Sequence, residues 1–234
     1  MMNRTIKTLF VASMAMLTLT FSGCGKDDNN NGDDTDVTND EWVDLGLPSG
    51  LLWASCNVGA TSPDRYGDYF AWGETQPKNV YDKSTYAFFS DNLQLTKYCT
   101  HAQFGYNGFT DNLTTLQSGD DAATARLGGG ARTPTYDEWC ELKENTTAVW
   151  TTLNGVKGCR LTAANGNSIF LPAAGDRLGS ELNGAGFFGS YWTASLYFAS
   201  NYAASTFVVS SDEPDMFDSN REFGHSVRAV RSAR

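Results

Sequence analysis

The segment AVWTTLNGVKGCRLTAANGNSIFLPAAG, residues 148–175, most constrains what this chain can fold into. Asn-Gly pairs at 154–155 and 165–166 interrupt runs rich in Val, Thr, Ile and Phe. Asn and Gly tolerate the positive φ angles that a tight reversal demands, so strands flanking such a pair run antiparallel. The segment therefore predicts consecutive hairpins. Three further β-rich runs, GSYWTAS, STFVVSS and HSVRAVR, supply the last strands.

Helix signals are fewer and shorter. SGDDAATARLGG offers acids at its start, Ala and Leu inside, and Gly128 as a stop. In TPTYDEWCELKEN, Thr135 and Glu138 have capping-box spacing, and Tyr136, Trp139, Cys140 and Lys143 share one helical face. Gln76 to Tyr106 is polar and aromatic without period, which predicts a long ordered excursion. With 23 Gly, 14 Phe, 10 Tyr and 6 Trp but no long amphipathic pattern, the expected class is α+β: short helices around antiparallel sheets, with many loops.

The N-terminal part has a different character. Arg4 and Lys7 precede the apolar run TLFVASMAMLTLTF, which is too short to span a bilayer and has the layout of a secretory signal. Ser22 and Gly23 before Cys24 resemble the lipobox of bacterial lipoproteins, although Phe21 stands where Leu is commoner. The resemblance implies cleavage before Cys24 and acylation (palmitate) of its sulfur; an ordinary cleaved signal is the alternative. From Cys24 to Glu41 there are seven acids against one Lys, and Val37 is the only sizeable apolar residue. Such a stretch cannot bury enough surface to offset its ordering entropy. The expected organisation is a lipoprotein signal peptide over 1–23, a disordered acidic tether over 24–41, and one domain over 42–234. The run KDDNN also resembles the acidic export signal of Bacteroidetes-type lipoproteins, which implies the outer face of the outer membrane rather than the periplasm.

The formal net charge is −10, and the tether alone carries six of those charges. Nothing in that balance suggests nucleic acid as a partner, and contact with a membrane is expected only through the lipid anchor. Four cysteines remain after Cys24, namely Cys56, Cys99, Cys140 and Cys159. Outside the cytoplasm they are compatible with two disulfides in any of three connectivities, of which Cys56–Cys99 with Cys140–Cys159 is the one expected here.

Six motifs in order, VDLGLPSGLLWASCNVGA, YGDYFAWGE, DDAATARLGGGARTPTYDEW, NSIFLPAAGDR, GSYW and GHSVRAVR, resemble the Fibrobacter succinogenes major paralogous domain family. That resemblance covers nearly all of Trp42 to Arg231. It implies a C-type-lectin-like fold of the kind shared with formylglycine-generating enzymes, with the strand near Trp42–Leu47 paired to that near Ser226–Arg231. The segment from Gly189 to Arg231 is also similar to the variable region of retroelement-diversified C-type-lectin proteins, whose scattered surface positions line a ligand-binding face.

Signals for catalysis are thin. Only His101 and His225 supply imidazoles, and neither stands in a nucleophile pattern. Cys99 and His101 at i, i+2 do not make a metal site by themselves. No cysteine follows Cys159, whereas the formylglycine-generating relatives work through late cysteines. No metal, cofactor or catalytic residue is therefore expected. Asp212, Glu213, Asp215 and Asp218 lie close enough in sequence to hold a hard cation, with a solvated loop as the alternative. A candidate ligand-binding set remains: Tyr197, Phe198, Ser200, Tyr202, Met216, Asp218, Ser219, Arg221, Glu222 and His225. Tyr, Ser and Asn with a few Arg, Phe and Met form the mixture that recognition surfaces use, because rigid amphipathic rings give contact area at low entropic cost. Tyr197, Phe198, Tyr202, Met216, Arg221 and Glu222 are expected to be open to solvent on one side, over a buried frame of Trp192, Phe207 and Val209. The reading is a non-catalytic surface lipoprotein that binds an unidentified protein or glycan. A structural or fimbrial-type envelope component, or an enzyme of the formylglycine-generating type, are the alternatives.

Overall fold

The computed structural model of the chain describes residues 42–233. The signal peptide, Cys24 and the acidic tether lie outside the described residues. Among the described residues no helix is long and apolar enough to cross a membrane.

The expected hairpins are present. β3 (Thr146–Leu153) and β4 (Val156–Ala163) pair in continuous antiparallel register, from Thr146 opposite Ala163 to Leu153 opposite Val156. Asn154 and Gly155 make the reversal with φ of 49° and 84°, the left-handed pair that a two-residue turn needs. β5 (Ser168–Pro172) continues the sheet on the far side of β4, after the Asn165-Gly166 turn. A second three-stranded sheet has the order β10-β9-β8, built from β8 (Phe188–Leu196), β9 (Ala203–Ser210) and β10 (Asp215–Asn220). A small hairpin joins β6 (Asp176–Leu178) to β7 (Glu181–Asn183).

The chain ends meet in a third sheet, although not by direct pairing. β1 (Trp42–Asp44) and β11 (Arg228–Ser232) both pair with β2 (Leu51–Asn57), giving the order β1-β2-β11. Trp53 therefore lies between Val43 on one side and Val230 on the other. This corrects the expected pairing of the first strand with the last. β2 is a nearly continuous apolar run, buried along most of its length, and such a run takes the centre of a sheet. β1 is only three residues long and half exposed, which suits an edge.

The two expected helices form. In α1 (Ala122–Leu127) the Asp121 carboxylate accepts from the amides of Ala123 and Thr124, and Gly128 ends the helix at φ 60°. In α2 (Tyr136–Glu144) both halves of the Thr135/Glu138 capping box are made. Burial falls on Trp139 and Leu142, while Tyr136 and Lys143 lie at the exposed border. Both helices are short, however, and the expected α+β class is overturned. Of the described residues 40 % are strand and 11 % helix, a mainly-β fold. The shortfall came from segments such as DMFDSN (β10), whose acids hid a strand that forms only because β9 offers it a register.

Trp139 joins the helix to the sheets. Its ring stacks on Phe207 at 4.6 Å and meets Trp53 edge-on at 4.9 Å, within a cluster that includes Leu142, Leu161, Tyr191 and Val209. Removing such a buried indole costs about 3–5 kcal/mol. A second cluster centres on Trp72, Trp192 and Tyr98, to which the excursion after Gln76 contributes Tyr98, while its Tyr81 and Tyr86 sit in a third cluster. All four described cysteines are free thiols, so neither expected disulfide is present. Cys56, Cys99 and Cys159 are buried as small apolar groups, and the Cys99 thiol points at the His101 carbonyl and the Asn201 side chain.

Candidate functional site

The α2 helix crosses the core face of the β10-β9-β8 sheet and leaves part of that face uncovered beside its N-terminus. There a groove of about 510 Å³ is lined by Tyr136, Leu196, Tyr197, Phe198, Ser205, Met216, Phe217 and Asp218. Local structure explains each wall. Tyr136 occupies the first turn of α2, where the capping box fixes the backbone and the phenol projects outward, 41 % exposed. Antiparallel register places Met216 opposite Phe207 and Asp218 opposite Ser205, so one face of the β9–β10 ribbon runs from core into groove. The turn after β8 presents Phe198, which is 91 % exposed and meets Tyr197 edge-on at 5.0 Å. Phe217 is 56 % exposed at the outer strand.

The lining is aromatic and apolar apart from the Ser205 hydroxyl and the Asp218 carboxylate, and none of its side chains is cationic. Beyond the rim, Lys143 holds Asp215 at 2.7 Å, which keeps that carboxyl below its usual range and raises the lysine. Asp215 is thereby turned toward α2. Asp212, Glu213, Asp215 and Asp218 do not converge: among the described residues no group of three or more His, Cys, Asp or Glu side chains comes together.

Of the ten expected binding residues, Tyr197, Phe198, Met216 and Asp218 meet in this groove. The two chain segments thus share one side of the domain. Ser200, Tyr202 and Ser219 are half-buried but do not line it. Tyr202 instead packs against Phe89 and Phe104 of the long excursion. The frame residues behave as expected, with Trp192, Phe207 and Val209 all buried.

Arg221, Glu222 and His225 are also buried, which corrects the expected exposure of the first two and the expected ligand contact of all three. Arg221 donates to the Tyr86 hydroxyl at 2.9 Å and to the carbonyls of Lys97, Tyr98 and Asn201 at 2.8–3.1 Å. Its guanidinium lies 5.1 Å from the Trp72 ring and 5.4 Å from that of Tyr86. A planar cation with a fork of donors can thus replace its water by carbonyls and ring faces. Arg228 repeats the solution between sheets, donating to the side chain of Asn57 and to the carbonyls of Ala54, Ser55 and Phe170. His225 is fixed by backbone bonds to Phe70 in both directions, with its ring 4.2 Å from that of Trp192. Neither ring nitrogen has a hydrogen-bond partner among the described residues, and burial pushes its pKa down to about 3. Burial likewise raises the Glu222 carboxyl, one oxygen of which is unpaired. All three side chains are out of a ligand's reach, and Arg221 ties the long excursion to the segment before β9.

Tyr136, Leu196, Ser205 and Phe217 were missed as groove residues. Tyr136 could have been found as the outward edge of a capped helix whose burial falls on Trp139. Ser205 could have been found from its place two residues before Phe207 on the same strand face. Compared with protein-family models, with curated proteins and with solved structures, the chain matches none.

Proposed function

We propose that this protein is a non-catalytic, lipid-anchored cell-surface protein that binds a protein or glycan ligand in the groove between α2, the Tyr197–Phe198 turn and β10. One observation carries the reading: two separate elements bring the exposed rings of Tyr136 and Phe198 to one concavity, with Met216 and Asp218 of β10 on its floor and Phe217 at its strand edge, over a frame that is fully buried. Large exposed apolar side chains gathered in this way mark an interaction site rather than ordinary surface. The rings offer flat contact area, and Asp218 and Ser205 offer acceptors, so the groove suits a partner with an apolar face and nearby donors. A sugar ring with its hydroxyls and a basic side chain on a polypeptide both have that chemistry. The anchor and the surface location rest on the sequence around Cys24.

A glycan and protein array probed with the chain, beside a Phe198→Ala/Phe217→Ala variant, tests the groove. Signals present with the parent and lost with the variant are expected; equal signals would contradict it. For the anchor, Cys24→Ser is expected to abolish acyl labelling and release the protein from membranes. A structural role in the cell envelope is the second reading, favoured by an uncharged strand, Thr146–Leu153, that is left open at a sheet edge among the described residues.

A further inference from the structure

Among the described residues, β3 and β10 are exposed strands with one side unpaired. Natural sheets blunt such edges with charge, bulges or short length. β10 follows that rule, with Asp215 and Asp218 along its six residues. β3 does not. Its eight residues, TTAVWTTL, contain no charged side chain and are almost all β-branched or aromatic. Four of them are exposed, including Val149 at 51 %. The strand is in continuous register with β4, so its free edge is neither bulged nor cut short. A groove of about 480 Å³ runs beside it, with Thr146, Ala148 and Trp150 of β3 on one wall and Lys143, Asp212 and Glu213 among the residues of the other.

We infer that β3 pairs with β3 of a second copy of this chain, antiparallel across a two-fold axis, so that two three-stranded sheets become one of six. Charge selects this occupant. The chain carries a formal charge of −10, so two copies repel over most approaches. Two β3 strands meet with no like charges opposite one another, and Thr and Val side chains form favourable cross-strand pairs. A two-fold axis makes the contact self-complementary and closed, so one edge is used up without starting a filament. The acidic segment 24–41 is a poor occupant for the same edge, because Asp, Asn and Gly are depleted in strands.

Sedimentation velocity on the full chain over a range of concentrations tests this. The parent is expected to show a concentration-dependent dimer. Thr147→Lys/Thr151→Lys and Thr147→Glu/Thr151→Glu variants should each dimerise at least about tenfold more weakly, since like charges then face each other. Mixing the two variants should restore a dimer, which a mere folding defect could not do. A parent that stays monomeric overturns the inference. So does a lysine variant that dimerises like the parent, or a mixture that remains monomeric.

Discussion

The segment from Leu196 to Arg228 contains two stretches of similar composition and opposite fate. Residues 196–220 and residues 221–228 both mix aromatic, polar and charged side chains. The first supplies most of the groove lining, with Phe198 and Phe217 standing in solvent. The second is buried almost throughout, although it holds Arg221, Glu222, His225 and Arg228. The difference lies in what the backbone approaches. Outside the buried central strand β9, residues 196–220 form turns and the edge strand β10, whose outer side is unpaired among the described residues. Residues 221–228 thread between β2, the Phe70–Trp72 segment and the long excursion, where unpaired carbonyls await donors. Arginine supplies several donors at once, so polar residue types in this chain mark the inside as readily as the outside.

The largest test of that contrast removes the second stretch. A chain ending before Ser226 loses β11 and the burial of Val227 and Val230, about 3–6 kcal/mol for those two side chains alone. It is expected to be insoluble or molten, lacking a cooperative unfolding transition. A sharp transition in that chain would show that β2 does not need its C-terminal partner.

Next comes Arg221→Met, which keeps much of the volume but strands three carbonyls and a phenol. At roughly 1–3 kcal/mol for each buried group left unpaired, a loss of several kcal/mol is expected in denaturant melts. A loss below about 1 kcal/mol would mean that water replaces the guanidinium, and that this region is less closed than its burial indicates.

His225 sharpens the comparison through pH. Its folded pKa, about 3, lies below the ordinary value of 6.5, so the neutral ring is favoured in the folded state. Its contribution to stability is therefore fully present above pH 6.5 and is lost as pH falls toward 3. The slope in that window is up to about 1.4 kcal/mol per pH unit. Glu222 acts in the opposite sense: burial raises its carboxyl, so its contribution is present at low pH and fades as pH rises through the folded value. His225→Phe should accordingly flatten the acid limb of the stability curve relative to the parent. Superimposable curves would mean that the imidazole reaches solvent.

The smallest effects on stability belong to the groove. Phe198→Ala and Phe217→Ala should each shift stability by no more than about 0.5 kcal/mol, because both side chains are largely exposed. A larger loss in calorimetry would mark them as packing residues.

Local chemistry made much of the fold legible in advance. The Asn154-Gly155 turn, the Thr135/Glu138 box and the Gly128 stop act within a few residues and appear where their chemistry requires. Long-range facts did not show. β10 reads as an acidic loop until β9 gives it a register, and the closing strand pairs with β2 because β2 is the more buried run. The site was half legible for the same reason. Tyr197, Phe198, Met216 and Asp218 could be found from composition, but Tyr136 reaches the groove only through helix packing. Arg221 was misplaced because the carbonyls it satisfies come from residues 97, 98 and 201, distant in sequence.

The central claim is that recognition belongs to the exposed stretch and stability to the buried one. Paired melting and array-binding measurements on Phe198→Ala/Phe217→Ala and on Arg221→Met test it most directly. The account predicts that the groove variant melts like the parent and loses its array signal, with roughly 2 kcal/mol or more of binding removed where either ring is a hot spot. It predicts that Arg221→Met melts well below the parent, yet retains the signal at temperatures where it is still folded. A groove variant that binds as the parent does, or a folded Arg221→Met protein that does not bind, would contradict it.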